Sequence, residues 1–259
     1  MDAIAVPRIT PVFRYKKAPE AIAWLERAFG FSTHERHDAT DGTVAHAELR
    51  FGASAVGLSS AGPPVPGNPW TTVRDGLYVC LSDVDGIHAR AAAASADIPQ
   101  PLRDTDYGAR EFSVRDPGGH LWSFGNYPAA AAAGPRTICA AFHYANGQEA
   151  VDWLKRALGF EMCLEVPGPD DTIIHAELKL GADVLMLGSG PRIGLWGDQT
   201  LCTCVHVADP DAHHVQAAKA GAEIVKPLAD TPYGARDYYA RDPEGFLWGF
   251  STYTPQATQ

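Results

Sequence analysis

Two short stretches of the chain place a histidine and a glutamate two residues apart. VAHAELRF contains His46 and Glu48, and IIHAELKL contains His175 and Glu177. Apolar residues alternate with these polar residues in both stretches, which predicts β-strands with one apolar face and one polar face. A carboxylate on the same strand face raises the pKa of a histidine, and the pair can then transfer protons or orient a polar ligand. The alternative, equally supported, is a solvated strand face.

A second repeated motif contains tyrosine and arginine. The chain reads DTDYGAR with Tyr107 and Arg110, and later DTPYGAR with Tyr233 and Arg236. An arginine side chain offers a planar fork for carboxylate, phosphate or enolate oxygens, and tyrosine offers an amphipathic edge. We therefore predict that these residues bind a ligand. The alternative is that each arginine pairs with the nearby HAEL glutamate as a structural brace.

Tryptophan occupies equivalent positions in two loops of different length. Trp70 ends SSAGPPVPGNPW (59–70), and Trp196 ends LGSGPRIGLW (187–196). A loop tryptophan beside a cavity often stacks on a flat ligand, although it can also cover a core. We include both tryptophans among the predicted ligand-binding residues.

These motifs recur because the chain is a duplication. AIAWLERAFGF (21–31) returns as AVDWLKRALGF (150–160), and RDPGGHLWSFGNY (115–127) returns as RDPEGFLWGFSTY (241–253), with the other repeats between them in the same order. A repeat of this length is a whole domain rather than a solenoid unit. An Ala/Pro/Gly-rich segment between the copies is typical of a linker. We predict domains at 1–127 and 137–259, joined by a linker at 128–136.

Within each copy the pattern predicts strand, helix and then strands, twice over. In the first helix Ile22, Leu25 and Phe29 form an apolar stripe that Gly30 ends. In the closing strand, alternation puts His120 on the same face as Trp122, away from the polar face, and Phe246 on the same face as Trp248. We therefore predict that the two tryptophans are core residues and that His120 is not a ligand.

The composition excludes several classes of protein. The 259 residues are 46% hydrophobic and 20% charged, with a formal net charge of −10 and no basic run, so we expect no nucleic-acid partner. No apolar run reaches the roughly 20 residues of a membrane span, and the N-terminal residues do not resemble a signal peptide. Five cysteines without a CxxC pair do not suggest a disulfide framework. We expect a cytoplasmic protein without membrane partners.

Taken in order, the motifs resemble the vicinal oxygen chelate superfamily, the group of glyoxalase I, bleomycin-resistance proteins and extradiol dioxygenases. HAEL, YGAR and DPGGHLW are most similar to its PhnB-like, glyoxalase-like branch. The resemblance implies an α+β fold of tandem glyoxalase-like domains. Each domain would contain two βαβββ modules that form a curled, cup-shaped mixed sheet with helices outside. Relatives with one copy often pair two chains, so this tandem chain would be a monomer or a homodimer.

The resemblance also implies where a metal would bind, because metal-dependent members hold it with four His, Gln or Glu ligands. Many relatives read DPxGxxxEL in the closing strand, and Ser123 stands here where that glutamate would be. None of the eight matching positions carries a suitable donor for a hard divalent ion. We predict no metal and no cofactor, and leave open an unorthodox zinc site of Cys139, Cys202 and nearby histidines. The eight positions are Thr10, Gly57, Gly76, Ser123, Cys139, Met186, Cys202 and Gly249.

Three functions follow from these patterns. The first is a metal-independent binding protein that holds an aromatic or polycyclic molecule in one or both cups, for antibiotic self-resistance or natural-product metabolism. Small residues such as Gly57, Gly76 and Ser123 would leave room for it. The second is a lyase, isomerase or hydrolase in which the His/Glu pairs act as acid and base. The third is a metal-dependent glyoxalase or dioxygenase. The predicted ligand-binding residues are Trp70, Tyr107, Arg110, Trp196, Tyr233, Arg236, His143, Ser123 and Met186.

Overall fold

The computed structural model describes residues 8–66, 68–106, 108–115, 119–126, 137–193, 200–243 and 245–253. Within them the chain forms two eight-stranded sheets, one from each sequence copy. The predicted linker at 128–136 lies outside the described residues.

The first copy contains strands β1 (Arg8–Tyr15), β2 (Ser32–Asp38), β3 (Val44–Phe51), β4 (Ser54–Ser60), β5 (Asp75–Cys80), β6 (Asp97–Asp104), β7 (Arg110–Arg115) and β8 (Leu121–Gly125). Its helices are α1 (Ala18–Phe29), α2 (Val84–Ala93) and a short 3₁₀ helix (Pro69–Thr72).

The second copy contains strands β9 (Ile138–Tyr144), β10 (Glu161–Pro167), β11 (Ile173–Leu180), β12 (Asp183–Ser189), β13 (Leu201–His206), β14 (Glu223–Asp230), β15 (Arg236–Arg241) and β16 (Leu247–Ser251). Its helices are α3 (Gly147–Trp153), which continues into a π-helical turn (Leu154–Leu158), and α4 (Pro210–Lys219).

Each sheet joins two βαβββ modules. The first sheet has the order β2-β3-β4-β1-β5-β8-β7-β6, and the second has β10-β11-β12-β9-β13-β16-β15-β14. The modules meet where their first strands pair antiparallel, β1 with β5 and β9 with β13. The prediction of an α+β fold made of two similar, curled mixed-sheet domains is confirmed.

The first helix of each copy forms for the reasons that its sequence suggests. In α1 the apolar stripe that includes Ile22, Leu25 and Phe29 is buried. Gly30 ends the helix with φ 73°, a left-handed conformation that glycine adopts without steric cost. Gly159 ends the corresponding helix of the second copy in the same way, with φ 77°.

The apolar faces of the two sheets pack on each other's copy, which the sequence did not predict. Trp122 of the first copy lies 5.4 Å from Phe142 of the second, measured between ring centroids. Trp248 of the second copy lies 5.1 Å from Phe13 of the first. Both tryptophans are fully buried, as predicted. Each of the two hydrophobic cores therefore contains residues from both copies.

The residues that differ between the two closing strands also lie at this interface. His120 stacks on Phe142 with the ring centroids 4.0 Å apart. Phe246 packs edge-on against Phe13 and Tyr15, at 5.0 and 4.7 Å. Both side chains thus contact the opening strand of the other copy and face away from the cup.

The helices extend the contact between the copies. The indole nitrogen of Trp24 in α1 donates to the carbonyl oxygen of Ala220 at the end of α4, at 3.1 Å. His213 of α4 lies 3.1 Å from the carbonyl oxygen of Phe29 through its Nε2 atom. In the part of the chain that the structure describes, no helix combines the length and the apolar character that crossing a membrane requires.

Candidate functional site

The polar faces of the central strands in the second sheet surround a cavity of about 650 Å³. Strand alternation places Cys139, Ala141 and His143 of β9 on its wall. Strands β10, β11, β12, β13 and β15 supply most of the remaining wall, which is mainly apolar. Volumes of roughly 300–1,000 Å³ are typical of small-molecule sites. The second cup therefore has the space and the surface of a ligand pocket.

Glu177 is the centre of a polar cluster at this cavity. Its side chain is fully buried, and its Oε1 atom lies 3.3 Å from Nε2 of His175. The hydroxyl of Tyr253 donates a hydrogen bond to the same carboxyl group. Burial and the neighbouring Glu177 carboxyl raise the pKa of Tyr253, so its hydroxyl keeps its proton at neutral pH. The predicted His175–Glu177 pair thus exists in the structure, with a tyrosine as an additional partner.

A second buried carboxyl group, that of Asp237 in β15, lines the cavity directly, whereas Glu177 does not. Nζ of Lys226 lies 2.7 Å from its Oδ1 atom, and the hydroxyl of Tyr233 donates to it at 3.3 Å. The Lys226 ammonium group also lies over the ring of Tyr239, 5.1 Å from its centroid. Burial, and to a lesser extent the charge of Asp237, raise the pKa of Tyr233. This wall therefore combines a paired charge with two aromatic rings.

Cys139, Cys202 and His143 are neutral at physiological pH. Burial raises the pKa of both Cys139 and Cys202, so neither is a thiolate nucleophile. Cys204 lies with its sulfur 3.9 Å from that of Cys202. Burial lowers the pKa of His143, whose Nε2 atom lies 3.2 Å from the carbonyl oxygen of Gly190. These residues supply shape and weak polar contacts rather than charge.

The first cup differs because Trp70 lies inside it. The indole nitrogen of Trp70 donates to Oγ of Ser123 at 2.8 Å. A β-carbon on Gly76 would lie 3.0 Å from the Trp70 ring and 2.6 Å from the carbonyl oxygen of Leu121. At Gly57 it would lie 3.2 Å from a methyl carbon of Val12. The prediction that Gly57, Gly76 and Ser123 leave room for a guest does not hold here, because residues of the chain occupy that space.

The His46–Glu48 pair of the first cup is looser than its counterpart. Nε2 of His46 lies 3.6 Å from Oε1 of Glu48, beyond hydrogen-bond distance. The His46 side chain is 44% exposed, whereas that of Glu48 is 6% exposed. Part of the His46 ring is exposed to solvent, while its Nε2 atom is buried.

The two arginines of the YGAR motifs lie away from the cups. Arg110 binds Asp85 through two hydrogen bonds of 2.8 Å, and Asp104 through a third. Arg236 makes the equivalent contacts in the second copy, with Asp211 and Asp230. The cavity lining does not include Arg236. Both arginines brace the end of a helix to the sheet, and the HAEL glutamates are not their partners in these bonds.

The other predicted site residues lie in the second cup, in the first cup or outside the described residues. His143, Met186 and Tyr233 line the cavity, and Met186 pairs directly across the strands with Glu177. Ser123 lies in the first cup, where it accepts the hydrogen bond from Trp70. Tyr107 and Trp196 lie outside the described residues.

The sequence analysis missed Tyr253, Asp237 and Lys226. Two repeated signals could have found the first two. Each copy carries an acidic residue directly after YGAR, which is Glu111 in the first copy and Asp237 in the second. Each copy also ends its closing strand with a tyrosine, in GNY and in STY. Lys226 has no such signal, because Gln100 occupies the matching place.

The residues at the family's metal positions do not fit a divalent ion. Gly249 has no side-chain donor, and a β-carbon there would lie 2.9 Å from the ring of Tyr239. Ser123 is engaged by Trp70 and Ser113. Among the residues that the structure describes, no three His, Cys, Asp or Glu side chains converge to hold a metal. The unorthodox cysteine–histidine site therefore gains no support from that part of the chain.

A comparison with protein-family models finds the Glyoxalase/Bleomycin resistance protein/Dioxygenase superfamily twice, at residues 8–124 and 141–250. An uncharacterized protein of Mycobacterium tuberculosis strain H37Rv is 30% identical over 133 residues, which are 48% of this chain and 78% of that protein. An uncharacterized protein of Mycobacterium bovis is 30% identical over 125 residues, 46% of this chain and 82% of that protein.

Solved structures share the fold at low sequence identity. A Mn(II)-bound glyoxalase from Novosphingobium aromaticivorans has a TM-score of 0.64 and 17% identity, covering 97% of this chain and 83% of that chain. The 2,2',3-trihydroxybiphenyl 1,2-dioxygenase of Sphingomonas wittichii has a TM-score of 0.66 and 14% identity, covering 95% and 89%. At these identities the likeness concerns the fold alone.

Proposed function

Because the chain belongs to the Glyoxalase/Bleomycin resistance protein/Dioxygenase superfamily, which includes both binding proteins and enzymes, we propose that it binds a small aromatic molecule in its second cup. The observation that carries this proposal is the cavity of about 650 Å³ beside the Glu177 cluster. Its volume suits a bicyclic or tricyclic guest, and its largely apolar wall favours burial of flat rings. A protein of this kind would sequester a toxic or reactive metabolite.

The polar groups define the chemistry of the guest. Asp237 presents its carboxyl group at the cavity wall, whereas Glu177 is fully buried and contacts His175 and Tyr253, which line the cavity. The phenol of Tyr253 donates to Glu177, and that of Tyr233 donates to Asp237. A guest that carries a hydroxyl or amine donor could donate to the Asp237 carboxyl group or to the phenol oxygens at the wall, whereas an anionic guest would be repelled by the carboxyl charge. We therefore expect a neutral or cationic aromatic molecule with at least one hydrogen-bond donor.

Calorimetry and quenching of protein fluorescence with 2-naphthol test this proposal. The matched probe is 2-methoxynaphthalene, which has the same ring system without the donor. We expect saturable binding of 2-naphthol and weaker binding of the ether. Equal affinity for both probes, or no saturable binding of either, would contradict the proposed site.

A cavity-filling variant locates the site in the second cup. Ala141 lies on the wall, so Ala141→Phe should occupy the guest's volume and abolish binding. Ala92→Phe is the control, since it makes the same chemical change on the exposed side of α2. Binding that survives in a folded Ala141→Phe protein would place the guest elsewhere.

A second candidate function is supported by one observation, the 3.3 Å contact between His175 and the buried Glu177. A carboxyl group that orients an imidazole allows it to act as a general base on a guest in the cavity. The reaction would be proton removal in a lyase or isomerase, or activation of water in a hydrolase, with His175 holding the proton on Nε2 or Nδ1.

Proton exchange separates this candidate from simple binding. Carbonyl compounds with an acidic C–H bond, such as aryl ketones, can be followed by NMR in D₂O with and without the protein. An enzyme of this type should accelerate the exchange, and His175→Gln should remove the acceleration. Exchange at the uncatalysed rate for all the ketones tested would reject the lyase or isomerase. Absence of ester hydrolysis above the uncatalysed rate would reject the hydrolase.

A further inference from the structure

The side chain of Trp70 occupies the first cup and contacts its inner wall at Ser123 and Gly76. Its indole nitrogen donates to Oγ of Ser123 at 2.8 Å. The edge of its ring packs on Gly76, where an added β-carbon would lie 3.0 Å from the ring. A side chain at residue 76 would also meet the carbonyl oxygen of Leu121 at 2.6 Å. Glycine at this position therefore gives the ring its close approach to the backbone.

The acceptor for the indole nitrogen belongs to a chain of buried polar groups. Ser123 and Ser113 share a hydrogen bond of 2.6 Å, and the Ser113 hydroxyl also contacts Oε1 of Gln100 at 3.4 Å. The Gln100 amide in turn donates to Glu111 at 3.0 Å, and Arg103 pairs with that carboxyl group at 2.8 Å. The indole nitrogen thus donates to the innermost side chain of this hydrogen-bonded series.

Hydrogen bonds between side chains and the backbone fix the segment that carries Trp70. Oδ1 of Asn68 accepts from the backbone nitrogen of Trp70 at 3.1 Å, as an N-terminal cap of the 3₁₀ helix. Arg14 donates to the carbonyl oxygen of Trp70 at 2.8 Å, and the Thr71 hydroxyl bridges back to Val65. These contacts hold the backbone at the cup mouth and aim the ring inward.

We propose that the first cup is a binding site for a planar heteroaromatic ring with an N–H donor, and that Trp70 is its resident guest. A group tethered by a short linker has an effective concentration in the millimolar range. A free ligand of equal affinity at a lower concentration therefore does not displace it. The proposal does not depend on the function proposed for the second cup, because it concerns the other cavity and a different polar cluster.

The two cups are built for different guests. Gly249 replaces Ser123 in the second cup, and Tyr239 replaces Ser113, so this acceptor pair is absent there. The space above Gly249 is taken by the Tyr239 ring, 2.9 Å from where its β-carbon would be. Preference for an indole nitrogen therefore belongs to the first cup.

The test removes the Trp70 side chain and adds free indole in its place. Trp70→Gly should unfold at a lower temperature than the wild-type protein, and indole should bind this variant and restore part of the loss. Indene has the same shape with C–H in place of N–H, and we expect it to bind roughly five-fold more weakly, as loss of one net hydrogen bond implies. Wild-type protein should not bind indole in this cup at micromolar concentrations.

Adding Ser123→Ala to Trp70→Gly tests the acceptor directly. The ratio of indole to indene affinity should fall to about one, while binding of indene itself should remain. Equal binding of indole and indene to the single variant, or a ratio that Ser123→Ala does not change, would overturn the proposal. Absence of saturable indole binding to a folded Trp70→Gly protein would also overturn it.

A measurement on the intact chain remains decisive if Trp70→Gly does not fold. In protein labelled with ¹⁵N-tryptophan, the indole N–H resonance of Trp70 is assigned by its loss in Trp70→Phe. Ser123→Ala should shift this resonance and speed its exchange with solvent, and should leave the buried Trp122 and Trp248 signals in place. A Trp70 resonance unchanged by Ser123→Ala would overturn the assignment of the guest.

Discussion

At the scale of single residues, Glu177 connects the two proposed activities of the second cup. It is fully buried, accepts a hydrogen bond from Tyr253 and lies 3.3 Å from His175. A buried carboxyl group has a high desolvation cost, and these neighbours offset part of it. Glu177 therefore positions His175 and Tyr253, which line the cavity.

Glu177→Gln tests this role with almost no change in shape. The amide keeps an oxygen for Tyr253 but replaces the second carboxyl oxygen by a donor. We expect the variant to lose part of its preference for 2-naphthol over 2-methoxynaphthalene, about five-fold, because Tyr253 and His175 at the cavity wall lose the charged group that orients them. Calorimetry measures it, and Glu48→Gln in the first cup is the matched control. An unchanged preference would show that Glu177 does not position the groups that contact the guest.

Asp75, at the start of β5, gives a pH-dependent prediction. Burial raises the pKa of its carboxyl group to about 6, and the positive charges of Arg74 and His120 oppose this only partly. The folded protein therefore binds more protons than the unfolded chain between the ordinary carboxyl pKa and about pH 6. Stability from this residue is complete at low pH and is lost as the pH rises through that window.

Asp75→Asn should accordingly stabilise the protein at pH 7.5, by on the order of 1–3 kcal/mol, with much less effect near pH 4. Urea unfolding at the two pH values measures the difference. Asp85→Asn is the control with the opposite sign, because Arg110 lowers the pKa of Asp85. Equal effects of Asp75→Asn at both pH values would refute the assignment.

At the scale of elements, the closing strand of each copy acts as a bridge to the other copy. Trp248 of β16 contacts Phe13 of β1, and Phe29 and Phe31 at the end of α1 and just after it. The Asp242 carboxyl group accepts hydrogen bonds from Trp248 and from Tyr15 of the first copy. The tryptophan in each repeated RDP segment thus stabilises a core that the two copies share.

Trp248→Ala should therefore destabilise the whole chain by about 3–5 kcal/mol, because it removes a fully buried ring. Urea denaturation monitored by circular dichroism measures the loss. Trp70→Ala serves as the comparison and should cost less, since Trp70 is only partly buried. A loss below 1 kcal/mol for Trp248→Ala would contradict the packing described here.

Periodicity explains which of these features the sequence could predict. It placed His175 and Glu177 on one strand face, the α1 stripe in the core, and Trp122 and Trp248 away from the cup. It could not place Trp70, because a loop has no period that fixes the direction of a side chain. Periodicity also does not show which surface covers an apolar strand face. The contact of His120 with the other copy was therefore not predicted. Tyr253 and Lys226 were missed because each meets its partner, Glu177 or Asp237, only when the chain folds.

At the scale of the whole molecule, the two sequence repeats share their hydrophobic cores. One core combines the second module of the first copy with the first module of the second, and the other core combines the remaining two modules. Neither copy can bury its apolar face without the other. The chain should therefore unfold in one transition.

Differential scanning calorimetry measures this cooperativity. We expect a single peak whose calorimetric and van't Hoff enthalpies agree. Two separate transitions, or a first copy that stays folded and monomeric when expressed alone, would contradict the shared cores.

Among the residues that the structure describes, the two cups differ in what fills them. The first cup holds Trp70, and the second contains the cavity beside Glu177. Titration calorimetry of 2-naphthol with the wild-type protein and with Ala141→Phe tests this division most directly. The account predicts one equivalent bound per wild-type chain and none bound to the folded variant. Two equivalents per chain, or one equivalent that Ala141→Phe leaves intact, would contradict it.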